Sequence, residues 1–208
     1  MKILAFCDLH ENEAALEALR PLSSQFDHVF ICGDVSRNTL FAEAVLEAFP
    51  KGFVIPGNWD NEHVNKLLSS NSQWIHEKRV EIGNGLNVVG FGYSNRTPFN
   101  TYGELNEEEI YARLSKLPID SNTILMLHCP PKGYFDKTPR GDNGGSGAIL
   151  KVIKEKKPLV ALFGHIHEHR GMQRLGPTTL VKLPAADSMC ACSLSIENKN
   201  INVEFIKL

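Results

Sequence analysis

Short apolar runs alternate with helix-periodic stretches through the first quarter of the chain. Residues 2–7, 29–32 and 53–55 are apolar runs that read as strands, the first of them buried. Between them, residues 11–20 place Ala15, Leu16 and Leu19 at helical spacing, with Pro21 as the expected stop, and residues 39–49 read as a second helix. Pro56-Gly57 ends the third strand. Strands alternating with helices predict a parallel sheet with right-handed crossovers.

The pattern then turns more β-like. Residues 79–82 and 86–91 flank Gly83-Asn84-Gly85 and predict a hairpin. Residues 107–117 read as a helix whose acidic start complements its dipole, and residues 123–127 read as a strand. Residues 130–147, rich in Pro, Gly and Asp, form a loop longer than a connection needs, which points to function. A helix over 148–156 and a strand over 159–163 follow. From His169 onward the pattern is all-β: Cys190, Cys192, Leu194 and Ile196 alternate on one face, as do Ile201, Val203 and Phe205. Two packed sheets with helices outside account for these elements. No linker divides them, so residues 1–208 are expected to form a single domain.

Composition narrows the picture. The net charge of −2 supplies no global basic field, which disfavours nucleic acid without excluding a local patch. No apolar run reaches membrane-span length. Residues 1–7 are too short for a secretory signal, and the five cysteines have no disulfide-framework spacing. A reducing cytoplasm is therefore the expected compartment. Each cysteine reads as a small core residue.

Chemistry concentrates in five polar clusters, each following an apolar strand: Asp8-Leu9-His10, Gly33-Asp34, Gly57-Asn58-Trp59-Asp60, His128-Cys129-Pro130-Pro131 and Gly164-His165-Ile166-His167. Ligand sites in open α/β sheets lie beyond the carboxyl ends of the strands, so five such ends can converge on one crevice. Carboxylate, imidazole and amide oxygen together suit divalent ions of intermediate hardness such as manganese, iron, cobalt, zinc or nickel. Asp8 and His10 can reach one ion, His165 and His167 can point into the same crevice, and Asp34 has two oxygens with which to bridge two ions. Two divalent ions bring about +4, and two aspartates with one hydroxide leave about +1, a site that a phosphate ester would complete.

These five motifs, in order and spacing, resemble the calcineurin-like metallophosphoesterase family over nearly the whole chain. The resemblance implies an α/β fold, a four-layer αββα sandwich with two mixed β-sheets flanked by helices. It implies that Asp8, His10, Asp34 and His167 hold one metal, that Asp34, Asn58, His128 and His165 hold the other, and that a bridging hydroxide attacks a phosphodiester or phosphomonoester. Asp34, Asn58 and His128 would then be central to catalysis. One position departs from the family: Trp59 stands where the family commonly has His, and indole cannot supply a proton to a leaving group. His63, His169 or Arg37 are candidates to take over that task.

Arg37, Lys132 and Arg140 are candidates to meet substrate anions, and Trp59 either stacks on substrate or walls the site. His28, His63 and His76 read as surface or half-buried residues without a role. Gly144-Gly145-Ser146-Gly147 could offer backbone N–H groups to a phosphate. The expected substrate is a small phosphate ester such as a nucleotide, the diester slightly preferred because no arginine cluster accompanies the motifs. The rivals are a nuclease on single-stranded nucleic acid, with Trp59 and Tyr93 stacking on bases, and a non-catalytic scaffold.

Overall fold

The computed structural model describes residues 1–208. In chain order the elements are β1 Lys2–Phe6, α1 Glu13–Leu22, β2 His28–Cys32, α2 Thr39–Ala48, β3 Gly52–Ile55, α3 Glu62–Ser69, β4 Arg79–Gly83, β5 Leu86–Phe91, β6 Ser94–Asn95 and β7 Glu104–Leu105. They continue as α4 Glu107–Leu114, β8 Thr123–Leu127, α5 Gly147–Lys156, β9 Val160–Phe163, β10 Gly171–Leu175, β11 Thr178–Lys182, β12 Cys190–Glu197 and β13 Asn200–Lys207.

Two large mixed sheets face each other. One has the order β13-β12-β1-β2-β3, with β1, β2 and β3 parallel. The other has the order β10-β11-β9-β8-β5-β4, with β11, β9, β8 and β5 parallel. Strand alternation sorts the side chains. Ile3, Ala5 and Cys7 enter the core between the sheets, while Leu4 and Phe6 face α1, α2 and α3 on the outside. In the second sheet Ile124 and Met126 point inward, and Leu125 and Leu127 pack against α4 and α5. Both faces of the central strands are therefore apolar, which is why their sequences read as continuous apolar runs. The result is the expected four-layer sandwich.

Each helix begins at a side-chain cap: Asn12, Asn38, Asn61, Asn106 and Ser146 accept a backbone N–H from the first turn. Three expectations need correcting. Pro21 does not stop α1, which runs one residue further, because proline's fixed φ is helical and costs only one hydrogen bond this near the end. The eight-residue α3 was not expected: it buries only Val64, Asn65 and Leu68, too short a stripe to stand out. His76 is buried rather than superficial, because its Nδ1 accepts the Gly92 N–H and its ring packs between Trp74 and Tyr93.

The long 130–147 connection is ordered around buried Asp136. Its carboxylate accepts the N–H groups of Gly133 and Gly145, and its carbonyl accepts that of Gly144. The Ser146 N–H goes to Pro130, and the Ala148 N–H goes to the carboxylate of Glu107. The N–H groups of Gly144, Gly145 and Ser146 are thus spent inside the protein, which removes three of the four donors the glycine run could offer a phosphate. All five cysteines are buried and free, and no helix is long and apolar enough to cross a membrane.

Candidate metal centre

Strands β1, β2, β3, β8 and β9 end at the same edge of the sandwich, and the five polar clusters meet there. The backbone turns sharply at the meeting point. Asp8, His10, Asp34 and His165 all have positive φ, at 55°, 46°, 52° and 72°. Such conformations cost about 1–3 kcal/mol each and persist only where the surroundings enforce them. Gly57 shows how close the packing is: a Cβ there would lie 1.9 Å from Asp34 Oδ1 and 2.2 Å from the Asp34 nitrogen. A Cβ on Gly164 would lie 2.8 Å from Asp8 Oδ2.

Two clusters of donor atoms result. The ligand atoms of Asp8, His10 and His167 lie within 4.8 Å of one another, and so do those of Asp34, His128 and His165. Asp34 stands between them. Its Oδ1 is 3.4 Å from His128 Nε2 and its Oδ2 is 3.8 Å from His10 Nε2. Asn58 joins the second cluster through Oδ1, 2.9 Å from His128 Nε2. All seven residues expected to hold metal are thus brought together.

The surroundings orient these side chains. His128, fully buried, donates its Nδ1–H to the Cys32 carbonyl at 2.9 Å, which turns Nε2 into the site. Asp8 Oδ2 accepts the His165 N–H at 3.0 Å, and Asp34 Oδ1 accepts the Trp59 N–H at 2.8 Å. His167 faces two carboxylates, Asp8 through Nε2 at 3.7 Å and Asp187 through Nδ1 at 3.8 Å. Asp60 is buried behind the site and accepts the N–H groups of Ser36 and Gly57, locking the third cluster against the second.

Charge makes the arrangement suited to cations. Burial opposes ionisation of Asp8 and Asp34, yet the facing imidazoles, His167 and His128 for Asp8 and His128 for Asp34, hold both carboxyls below the usual range. Burial would push His128 down, but the Asp34 carboxylate raises it to about 9. Burial, then the neighbouring His128, pushes His165 down to about 4. Burial and the nearby Asp34 charge push Asp60 up to about 7. Asp8 Oδ1 is buried with no hydrogen-bond partner, which is costly for a carboxylate oxygen unless something else meets it. His10 Nε2 and His167 Nε2 face each other at 3.3 Å beside that oxygen. Convergent lone pairs around an orphaned buried carboxylate oxygen fit a divalent cation.

Trp59 is at the rim. Its ring meets the His10 ring edge-on at 4.8 Å, and the Arg37 guanidinium carbon lies 5.7 Å from the indole centroid. Of the residues suggested to replace the family's histidine, Arg37 is the one packed beside the site. His63 is exposed on α3, and His169 hydrogen-bonds the Lys137 carbonyl. Lys132 lines a surface cavity against α4 and α5, and Arg140 is exposed on the 130–147 loop. Tyr93 is half-buried, its hydroxyl given to Asn65 and its ring to His76, so it is not a free stacking surface. Phe99 and Tyr102, 77% and 55% exposed, are free. Asp187, Thr101 and Glu104 escaped the sequence reading: none belongs to a motif, and each reaches the site from a remote segment.

Residues 1–169 match the calcineurin-like phosphoesterase family. The chain belongs to that family. With the family comes metal-dependent hydrolysis, and the scaffold reading falls away. The chain is 33% identical to the uncharacterized protein MJ1162 of Methanocaldococcus jannaschii over 87% of each chain. It is 25% identical to the 3',5'-cyclic adenosine monophosphate phosphodiesterase CpdA of Escherichia coli, over 75% of this chain and 60% of that one. It spans between 34% and 46% of the length of three Caenorhabditis elegans relatives. Its fold matches that of a dimetal phosphatase from Danio rerio at a TM-score of 0.67 and 11% identity, covering 99% and 95% of the two chains.

Proposed function

We propose that the protein is a two-metal phosphoesterase acting on small phosphodiesters, nucleotides among them, with weaker action on monoesters. The observation that carries this reading is the position of Asp34, whose two oxygens each face one cluster of three or four donors. On this reading Asp8, His10, Asp34 and His167 hold one ion, and Asp34, Asn58, His128 and His165 hold the other. Two divalent ions, manganese first in our expectation, would acidify a water between them and draw in the phosphate oxygens.

The chain's own residues do the positioning. Asp34, Asn58 and His128 are locked by the Trp59 N–H, by Thr101 and by the Cys32 carbonyl, so the donors are preorganised. Arg37, stacked over Trp59, offers the rim a positive charge for an anionic oxygen of the substrate. One rim arginine suits a diester, with its single negative charge, better than a doubly charged monoester. The likeness to a cyclic-nucleotide phosphodiesterase supports the same choice. Trp59 donates no titratable proton, which favours esters whose leaving group needs little help.

The experiment is hydrolysis of bis-(p-nitrophenyl) phosphate and p-nitrophenyl phosphate by metal-stripped protein refilled with Mn, Co, Zn or Mg. The reading expects turnover restored by metal, faster on the diester, and lost in Asp34→Asn and His128→Ala. Turnover indifferent to metal would overturn it, and a monoester rate equal to the diester rate would remove the diester preference. A nuclease reading draws on the exposed Phe99 and Tyr102. It expects affinity for single-stranded DNA that falls steeply with salt, against which the net charge of −2 counts.

A further inference from the structure

The loop joining β6 to β7 has no metal-binding residue of its own, yet it packs directly on Asn58. The Gly103 N–H donates to the Asn58 carbonyl at 2.9 Å, and a Cβ on Gly103 would lie 2.8 Å from Asn58 Cα. The loop is closed by one carboxylate. Glu104 Oε1 accepts the Thr101 N–H at 2.8 Å and the hydroxyls of Thr97 and Thr101 at 2.6 Å each, while Oε2 accepts the Thr97 N–H at 3.1 Å.

The direction of these bonds fixes a side chain in the metal centre. A threonine hydroxyl has one proton, and that of Thr101 goes to Glu104, whose ionised carboxylate has no proton to give and can only accept. Its oxygen can then only accept from the Asn58 side chain, 2.8 Å away, so the group facing it is the Asn58 NH2. The amide oxygen is left pointing the other way, toward His128 Nε2. A flipped Asn58 would place its carbonyl against the Thr101 oxygen, with no proton between them. Hydrogen bonding at the NH2 also drains charge onto the carbonyl oxygen and makes it a better donor to a cation, as a carboxylate does for a ligating histidine.

We propose that Thr101 and Glu104 are positioning residues, a carboxylate–hydroxyl–amide relay that orients and polarises Asn58 and so sets the affinity of one of the two metal positions. The inference rests on Asn58 being a ligand, as read above. Loss of partners behind a metal ligand costs about 10- to 100-fold in affinity.

The test is calorimetric titration of manganese alone into metal-stripped wild type, Thr101→Val, Thr101→Ser, Thr97→Val and Asn58→Ala. Thr101→Val keeps the side-chain shape and removes the hydroxyl, and Thr101→Ser keeps the hydroxyl. Thr97→Val takes a hydroxyl from Glu104, and an acceptor from the Phe99 N–H, without touching Asn58, and so controls for loosening of the loop. The relay expects two ions in wild type, Thr101→Ser and Thr97→Val, and one of the two weakened about 10- to 100-fold in Thr101→Val. Wild-type binding in Thr101→Val, with one ion lost in Asn58→Ala, would overturn the relay and leave the ligand reading standing. Equal weakening in Thr97→Val and Thr101→Val would also overturn it, in favour of loop stability. Two ions bound as tightly by Asn58→Ala as by wild type would overturn the ligand reading and the relay together.

Discussion

Asp34 and Gly57 are packed so closely that not even one methyl group fits between them. Gly57→Ala would drive a carbon into the Asp34 carboxylate, 1.9 Å away in the present geometry, and displace it. A misplacement of about 1 Å at a reacting centre costs about 100-fold in rate, and that loss is expected in metal-supplemented hydrolysis assays of the variant. Activity within a few-fold of wild type would show that Asp34 tolerates the shift. At Trp59 the chemistry is the question. Trp59→His would place a titratable imidazole at the rim beside Arg37, and we expect it to raise turnover of an unactivated alkyl ester by at least about 10-fold more than that of a nitrophenyl ester. Equal factors on both would show that no acid is missing. At this scale the sequence was most informative where chemistry is written locally. Asp8, His10, Asp34, Asn58, His128, His165 and His167 sit in short motifs at strand ends, and the fold brings all of them together. The groups that orient them were silent because they are ordinary residues far along the chain: Thr101 lies 43 positions from Asn58, and Asp187 reaches His167 from the turn before β12.

His76 shows what the element scale adds. Its backbone bridges to Gly90 of β5, and its imidazole meets Phe91 of β5 and Arg113 of α4, so one residue ties β5 to α4. Burial lowers it from 6.5 to about 4, with Glu77 opposing and Arg113 assisting. The unfolded chain takes up this proton near pH 6.5 and the folded chain only near pH 4. The stability contribution is therefore whole above pH 6.5 and is lost as pH falls toward 4, by up to about 3 kcal/mol. His76→Asn keeps an acceptor for the Gly92 N–H and removes the titration. Denaturant unfolding at pH 7.5 and pH 4.5 should show a smaller acid loss in the variant, and parallel losses would exclude His76 as the cause. Elements with long apolar runs, such as β1, β2 and β8, were legible because both faces are covered. Helix α3 and the short β6–β7 ladder were not, since eight residues and two-residue strands are held by tertiary contacts rather than by pattern.

Over the whole molecule, the final segments are tied to the site more closely than the family match over residues 1–169 suggests. Strand β12 pairs with β1, the Ala186 N–H bonds the Cys7 carbonyl, and the Asp187 N–H bonds the Asp8 carbonyl. We propose that residues 1–208 fold as one domain. A chain truncated after His169 would turn β1 into a sheet edge and strip the inner core of Cys192, Leu194 and Ile196, so it should show no cooperative thermal transition. A sharp transition in that fragment would place the last strands outside the folding unit. The alternation that built both sheets was visible in the sequence; the meeting of their edges at one crevice followed from the motifs rather than from any periodicity. The claim on which the rest depends is that this crevice holds two ions with Asp34 between them. Anomalous diffraction from crystals grown with manganese tests it most directly. The account predicts two peaks about 3.5–4 Å apart, one against Asp8, His10 and His167, the other against Asn58, His128 and His165, and both touching Asp34. A single peak, or peaks away from Asp34, would contradict it.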